Sequence, residues 1–386
     1  MKVILLTDGL APFVSGGMQT HSSNLLNCLL KHADRVLVVH TGESNQEPDI
    51  TKILQRPSDS TKLESIYIPF PKSLKFPGHY VWKSWKFSDL VYLAIKKKVA
   101  EYDCIYSKGF SAWASVRNKS NIKIPIITNF HGFEMFQKPA NKRQKAEFVL
   151  LRPPVKELVK KSDYLVSYGA KITEILQEDL KVAAKRILEI PGSVDPVWVQ
   201  ANETKKSEEV RKFLFLGRYE RRKGIEEINA CLGELGLKQN IEFHFIGSIP
   251  EEKRMERSDI LYHGKITDRD ALISRVSEMD VLMCPSWSEG MPNVIMEAMS
   301  RSCAVIASDV GASSLLVSSD NGWLIEAGNI DQLKSAIVDA SELNEELLRE
   351  KQLSSAQKIS TGFTSEIVCA TVHSHLSKLI ENSPNE

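Results

Sequence analysis

The chain has 386 residues, 42% hydrophobic and 26% charged, with a formal net charge of +1. That balance excludes a collagen-like, low-complexity or largely disordered chain, and the length predicts two to three domains at roughly 150 residues each. The near-neutral total conceals a division: residues 1–190 hold 29 Lys and Arg against 18 Asp and Glu, and the remainder holds 21 against 31. Two readings of the basic half stay open, a face for something anionic (a phospholipid surface or a phosphate-bearing acceptor) and solvated helix faces that pair with the acidic half.

In chain order, Lys2–Asp8 is a short apolar run and reads as a buried strand. A Gly/Pro/Ser loop follows from Pro12 to Gly17, then a helix over about 18–31 and a strand at Arg35–His40. Further strands are predicted at 64–68, 103–107, 124–130 and 163–167, with helices around 86–100, 142–161 and 169–180. Strands separated by helices mean βαβ units and a mostly parallel sheet. Between Lys72 and Lys98, seven lysines interleave with Phe76, Tyr80, Trp82, Trp85 and Phe87. This mixture suits an interfacial element whose rings sit at headgroup depth; no nucleic-acid motif accompanies it.

The pattern breaks at Ile190–Asp195, and the polar stretch 200–210 reads as part of a linker over 196–210. The rhythm then restarts, with strands at 212–217, 241–247, 259–263, 280–284, 303–308 and 322–325. Helices are predicted at 223–237, 268–277 and 292–301, and over the last ~45 residues. The fold class is therefore α/β, two doubly wound Rossmann-like domains facing each other across a cleft. Six cysteines lie scattered with no CxxC or Cys/His cluster, so neither a zinc site nor a disulfide framework is expected, and a reducing cytosol is the default. The apolar run Val3–Leu6 is too short for a leader-peptide core. No apolar stretch approaches the ~20 residues of a membrane span. A cytoplasmic protein is expected, at most peripheral at the inner face of the membrane.

The chemistry-bearing residues cluster at predicted strand ends. Ser15-Gly16-Gly17 lies between the first strand and first helix, where glycines allow close backbone approach and a helix N-terminus offers free N–H groups to an anion. It is neither GxGxxG nor GxxxxGK[ST], so a nicotinamide or P-loop site is not supported. His21, one turn on, reads as structural or acceptor-side. Arg218 and Lys223, in Gly217–Gly224, place two cations on a short loop leading into a helix, a pocket for a diphosphate; Arg221 and Arg222 read as solvent-side bystanders. The strongest segment is Pro285–Met299. Its strand ends before Pro285, a helix begins at Pro292, and Glu289 stands at the mouth of that helix. Glu297 lies in its second turn among apolar neighbours, where a carboxylate is costly unless paired. Two vicinal ribose hydroxyls would suit it as donors.

Glu289 and Glu297 enclose seven residues, the E-x7-E element of retaining glycosyltransferases with the GT-B fold, and the chain resembles the large family usually called family 4. The Gly16-Gly17 loop, the Gly217-Arg218…Lys223-Gly224 segment and Tyr262-His-Gly-Lys-Ile266 match it in the same order, over essentially the whole chain. The resemblance implies a nucleoside-diphosphate sugar, UDP- or GDP-linked, as co-substrate, with no cofactor and no metal, since cationic side chains and helix dipoles take the metal's place. Residue by residue it implies Arg218 and Lys223 at the diphosphate, Glu297 at the ribose, Glu289 at the donor sugar, and Gly16 and Gly17 closing over the donor phosphate. His131, in Asn129–Glu134, becomes the candidate active-site histidine. Gly247, Lys265 and Ile266 border the base, while the Gly290, Met291, Pro292 and Asn293 segment faces the sugar and phosphate oxygens. The family reads Pro-Asn-Gly-Val-Asp in many members where this chain has Pro191-Gly-Ser-Val-Asp195, so the resemblance does not carry over a role in donor selection to this loop.

The implied organisation is an acceptor-binding domain over 1–195 with a returning helix at 364–386, a linker at 196–210 and a donor-binding domain over 211–363. The implied reaction is transfer of a hexosyl or N-acetylhexosaminyl group, with retention, to a hydroxyl of a glycan or lipid-linked acceptor in surface polysaccharide or lipopolysaccharide assembly. The basic aromatic 72–98 segment suggests an anionic membrane surface as a further partner. Two alternatives share the architecture: a nucleotide-sugar epimerase, which acts without an acceptor, and a donor-binding protein without turnover.

Overall fold

The computed structural model describes residues 1–14, 16–42, 44, 46–74, 76–199, 210–236 and 240–381. Its first lobe runs β1 (Lys2–Leu6), α1 (Gly17–His32), β2 (Arg35–His40), β3 (Leu63–Tyr67), α2 (His79–Ile95), β4 (Cys104–Lys108) and α3 (Trp113–Arg117). It continues through β5 (Ile126–Asn129), α4 (Lys142–Lys161), β6 (Tyr164–Ser167), α5 (Lys171–Glu174) and β7 (Ile187–Glu189). The second lobe runs β8 (Arg211–Leu216), α6 (Ile225–Glu234), β9 (Ile241–Ile246), β10 (Ile260–Gly264), α7 (Arg269–Ser277) and β11 (Val281–Cys284). It closes with α8 (Asn293–Ser300), β12 (Ala304–Ser308), α9 (Ser313–Leu316), β13 (Gly322–Ile325), α10 (Ile330–Glu342) and α11 (Glu345–Gly362). A last helix, α12 (Ser365–Glu381), follows.

The two sheets have the orders β3-β2-β1-β4-β5-β6-β7 and β10-β9-β8-β11-β12-β13, and their strand pairings are parallel. Val3–Leu6 and Val36–Val39 are wholly buried, as continuous apolar runs must be when helices cover both faces of a sheet. Strand order reverses between β1 and β4 and again between β8 and β11, and the crevices outside those strand ends are where doubly wound sheets hold ligands.

Four features depart from the sequence reading. The helix expected near 86–100 begins at His79, after Gly78 in the left-handed region (φ 85°), and ends at Ile95. Its buried positions 84, 87, 88, 91 and 95 keep helical spacing, but two are serines, so the apolar periodicity starts only at Phe87. The helix expected over 169–180 is a single α turn at Lys171–Glu174 that widens into a π turn at Ile175–Asp179. Strand β7 and helices α3 and α9 have three, five and four residues, too few to leave a periodic signal. Finally, Cys28 of α1 and Cys369 of α12 form a disulfide where none was expected. Its partners stand 341 residues apart with no local motif, and only the docking of α12 on α1 brings them together.

The chain crosses between the lobes at two places that touch. Val194 N–H donates to the Phe363 carbonyl at 2.9 Å, Ser365 Oγ to the Val194 carbonyl at 2.9 Å, and Val194 bridges Thr364 in parallel. Beyond the return crossing, Val368, Val372 and Leu376 of α12 join Leu25, Leu26 and Leu29 of α1 in one buried cluster. Of the expected 196–210 linker, Pro196–Trp198 forms a 3-10 turn with Trp198 buried, and residues 200–209 lie outside the described residues.

Candidate functional site

In the second lobe, the loops after β8 and β11 interlock. Gly224 takes a left-handed conformation (φ 74°), and a Cβ there would lie 2.0 Å from the Pro285 carbonyl oxygen, so only glycine lets the two loops approach. Trp287 N–H then donates to the Arg222 carbonyl at 2.7 Å. This contact sets Lys223 Nζ 2.6 Å from Glu289 Oε1, while Ser286 Oγ donates to the same oxygen at 2.8 Å. Glu289 is buried. Burial alone would raise its pKa, but Lys223 and Arg222 outweigh that and hold the carboxylate below its ordinary range.

Arg222 is no bystander. Its Nη1 lies 3.5 Å from both Glu289 and Glu134, and its Nε donates to Glu220 at 3.0 Å. These three carboxylates outweigh burial and raise its pKa further above the ordinary guanidinium value. Arg221 forms a bidentate pair with Glu227 at 2.6 and 2.8 Å, a structural contact. Arg218 is the exposed member, with 74% of its side chain accessible and a 2.7 Å pair to Glu220. One carboxylate, Glu220, thus links Arg218 to Arg222.

Pro292 caps α8, which starts at Asn293, one residue later than the sequence suggested. Met291 turns inward and its Sδ lies 3.0 Å from the Gly192 amide. A Cβ on Gly192 would stand 3.3 Å from Met291 Sδ and 3.4 Å from Met296. The Pro191-Gly-Ser loop therefore packs on the start of α8. Within α8, Glu297 is half-buried and its carboxylate makes no hydrogen bond among the described residues. Burial pushes its pKa up to about 7, Arg269 opposes the rise and Asp195 adds to it; those two pair with each other at 2.6 Å. Gly247 closes the neighbouring strand ends by donating to the Gly264 carbonyl at 2.8 Å; beyond it Lys265 is exposed and Ile266 half-buried.

Across the cleft, the first lobe presents a buried polar cluster at its own switch point. His131 has φ 63°, in the left-handed region that few non-glycine residues adopt. Its N–H donates to Asn129 Oδ1 at 2.7 Å, which leaves the Asn129 amide to donate to the Tyr106 and Tyr168 oxygens. The Tyr168 hydroxyl, 2.6 Å from His131 Nδ1, then donates a hydrogen bond to that nitrogen, and in the neutral tautomer this pairing favours the ring proton is on Nε2. Nε2 is buried without a partner among the described residues. Burial, then Lys108 and His21, hold the imidazole pKa well below its ordinary value, so the ring is neutral and Nε2–H is an unused donor. Lys108 ends β4, and its Nζ lies 2.7 Å from His21 Nδ1; burial pulls its pKa down while Asp8, at the end of β1, resists.

The lobes meet at backbone contact. A Cβ on Gly132 would lie 2.8 Å from the Gly290 nitrogen, and one on Gly290 would lie 3.0 Å from the His131 carbonyl carbon and oxygen. Gln137 bridges the same place: its Nε2 donates to the Gly132 and Glu289 carbonyls at 2.6 Å each, and its Oε1 accepts from Glu289 N–H at 3.3 Å. A Cβ on Gly17 would stand 3.4 Å from Asn293 Nδ2, so the glycine loop overhangs the start of α8. Ser15 lies outside the described residues. Gly132→Ala should prop the lobes apart and lower turnover by about tenfold to a hundredfold at an unchanged melting temperature. Wild-type kcat in this variant would show that the contact is dispensable.

The sequence matches the description Glycosyl transferases group 1 over residues 210–342 and Glycosyltransferase Family 4 over residues 15–198. The chain belongs to glycosyltransferase family 4. This glycosyltransferase is 26% identical over 294 residues, 70% of each chain, to the putative teichuronic acid biosynthesis glycosyltransferase TuaC of Bacillus subtilis. It is 27% identical to the capsular polysaccharide biosynthesis glycosyltransferase CapM of Staphylococcus aureus, over 48% of this chain and 52% of CapM. Among solved structures it resembles sucrose-phosphate synthase from Thermosynechococcus elongatus, with a TM-score of 0.80, 16% identity and coverage of 98% and 99%. Anabaena HepE in complex with UDP-glucose matches with a TM-score of 0.67, 15% identity and coverage of 98% and 100%. At these identities the structural likeness establishes the GT-B fold.

Several residues of the glycosyltransferase site carry little sequence signal. Lys108 ends β4 and Asp8 lies two residues beyond β1, and a charged residue at the exit of an apolar strand is the one local hint that they face a crevice. Gly132 and Glu134 belong to the Asn129–Glu134 segment but carry no signal of their own there, and Gln137 and Tyr168 have no motif; packing alone brings them to the cleft. Among the described residues no group of three or more His, Cys, Asp or Glu side chains is placed to hold a metal ion.

Proposed function

We propose that the glycosyltransferase moves a hexosyl or N-acetylhexosaminyl group from a UDP- or GDP-sugar to a hydroxyl of a glycan or lipid-linked acceptor, with retention, in surface polysaccharide assembly. The observation that carries this reading is Lys223, fixed 2.6 Å from buried Glu289 beside Arg222, in the lobe whose α8 start Gly17 overhangs. When the bond from the anomeric carbon to the diphosphate breaks, its electron pair stays on the phosphate oxygen. Lys223 and the amides opening α8 lie ready to meet that charge without reorganisation. The acceptor oxygen attacks from the same face, and its proton passes to the departing phosphate. The Nε2–H of His131 supplies a fixed donor for a sugar hydroxyl, and Glu297 accepts from the ribose. Its unpaired, half-buried carboxylate supports that role. The names of TuaC and CapM support a polysaccharide product, and HepE in complex with UDP-glucose supports a UDP-sugar donor.

A thermal-shift panel of UDP-, GDP-, ADP- and TDP-sugars tests the reading. The true donor at one hundred times its Kd should stabilise the protein by about 2.7 kcal/mol. No shift from any member would remove the nucleotide-sugar assignment, and turnover without an acceptor would favour an epimerase.

We also propose peripheral contact with an anionic lipid surface. No described helix is long and apolar enough to cross a membrane. The 72–98 segment nonetheless exposes Leu74 (87%), Phe76, Trp82, Leu90 and Leu93 beside Lys72, Lys86, Lys96 and Lys97; Lys75 lies outside the described residues. Rings and ammonium groups on one flank suit lipid headgroups. Cosedimentation with phosphatidylglycerol vesicles should fall severalfold in Leu74→Ser/Trp82→Ala and in 0.5 M salt. Equal pelleting of variant and wild type would refute lipid contact through this flank.

A further inference from the structure

A second cavity, of about 400 Å3, opens in the first lobe beside the end of β1. Two of the residues lining it, Thr41 and Ser111, carry buried hydroxyls that have no hydrogen-bond partner among the described residues. An unsatisfied buried hydroxyl is costly, so a pair of them at the wall of one cavity points to a hydroxyl-bearing ligand. Asp8 lines the same cavity. Burial raises its pKa against its own backbone amide and Lys108, and no side-chain hydrogen bond engages it among the described residues.

The other walls narrow the ligand's chemistry. Phe70, Phe87, Phe110 and Tyr80 offer ring faces and edges to the apolar face of a sugar. Burial pushes the Tyr80 hydroxyl pKa up to about 12, and nearby Asp8 adds to the rise. Lys72 and Lys83 belong to the same lining, and neither has a carboxylate within 4.0 Å among the described residues. Lys83 Nζ lies 5.3 Å over the Phe70 ring, and two ammonium groups beside one cavity with no carboxylate partner are a site for a phosphate. The cavity also adjoins the reaction centre. Asp8 faces Lys108, whose Nζ contacts His21, and the His21 ring lies edge-on to His131 at 5.4 Å.

We infer that this cavity binds the acceptor and that the acceptor is a phosphorylated saccharide. Its ring lies against the aromatic wall, its hydroxyls meet Asp8, Thr41 and Ser111, and its phosphate sits between Lys72 and Lys83. The inference rests on the glycosyltransferase reading and deepens it by naming the acceptor class. A free sugar phosphate and a saccharide diphosphate on a polyprenyl chain share this chemistry.

Calorimetric titration of the full chain decides the matter. One arm uses the 1-phosphates of glucose, galactose, mannose and N-acetylglucosamine, each beside its methyl glycoside. The other uses N-acetylglucosaminyl diphosphofarnesol in phosphatidylcholine vesicles beside empty vesicles. At least one phosphorylated probe should bind tenfold or more tighter than its unphosphorylated counterpart. Lys72→Ala/Lys83→Ala should erase that preference, and Thr41→Val should weaken phosphorylated and plain forms alike, with UDP or GDP affinity unchanged as the measure of an intact fold. Binding in the soluble arm identifies a free sugar phosphate as the source, and binding only in the vesicle arm a lipid-linked one; both support the inference. Failure of every phosphorylated probe in both arms, or a preference that survives the double substitution, overturns it. If UDP or GDP still binds, the glycosyltransferase reading stands and only the acceptor class falls; if neither nucleotide binds, that reading falls first.

Discussion

Lys223→Ala is expected to lower sugar transfer by roughly 100- to 1,000-fold, the usual cost of removing one fixed donor from a developing oxyanion. The lysine stands before Gly224, whose left-handed turn fits against Pro285, and its Nζ is 2.6 Å from Glu289. The substitution also strips buried Glu289 of its nearest cation, leaving Arg222 at 3.5 Å and Ser286. Some loss of stability should therefore accompany the loss of rate. The two effects separate in Lys223→Ala/Glu289→Gln. Without the orphaned carboxylate the double variant should regain melting temperature yet remain slow. Steady-state kcat with the donor found by the nucleotide panel gives the reading, and a wild-type rate in Lys223→Ala would end the diphosphate assignment.

Glu297→Gln should weaken nucleotide binding by about 10- to 100-fold while making the empty protein more stable at alkaline pH. Two hydrogen bonds from ribose hydroxyls to a carboxylate are worth enough for that loss. The stability gain follows from the raised pKa. Burial lifts Glu297 from 4.5 to about 7, so the native state holds its proton more tightly than the unfolded chain does. The carboxylate costs nothing below about pH 4.5, progressively more between there and pH 7, and its full penalty above pH 7. That penalty is on the order of 3 kcal/mol. Glutamine should thus raise the melting temperature at pH 8 and lose its advantage near pH 4.5. Unchanged UDP and GDP affinity in Glu297→Gln would detach this residue from the ribose, whatever the melting curves show.

How much of the site was legible depends on how its residues are spaced along the chain. Glu289 to Glu297 lies on one loop and helix start, so its spacing fixes its geometry. Lys223 is read from its position between a strand and a helix. Arg222, next to it, was assigned to the solvent side because a run of three cations gives no local indication of which one turns inward. The structure turns Arg222 toward Glu134 and Glu289 and leaves Arg218 mostly exposed. Asp8 and Lys108 leave little sequence signal for a related reason. Each is a single charge at or just past the end of a short strand, and its meaning appears only when β1 and β4 are neighbours across the reversal in strand order.

By itself the sequence determined the two parallel α/β lobes, the donor segment from Pro285 to Met299 and the glycine loop before α1, because periodicity and turn chemistry act within a few residues. The tertiary structure alone decided that Gln137 bridges to Glu289 across 152 positions, that Gly132 meets Gly290, that Cys28 meets Cys369, and that a cavity with unpaired hydroxyls opens beside Asp8. Those contacts depend on how whole helices and sheets pack, and no local run of residues encodes the distance between surfaces that meet only after folding.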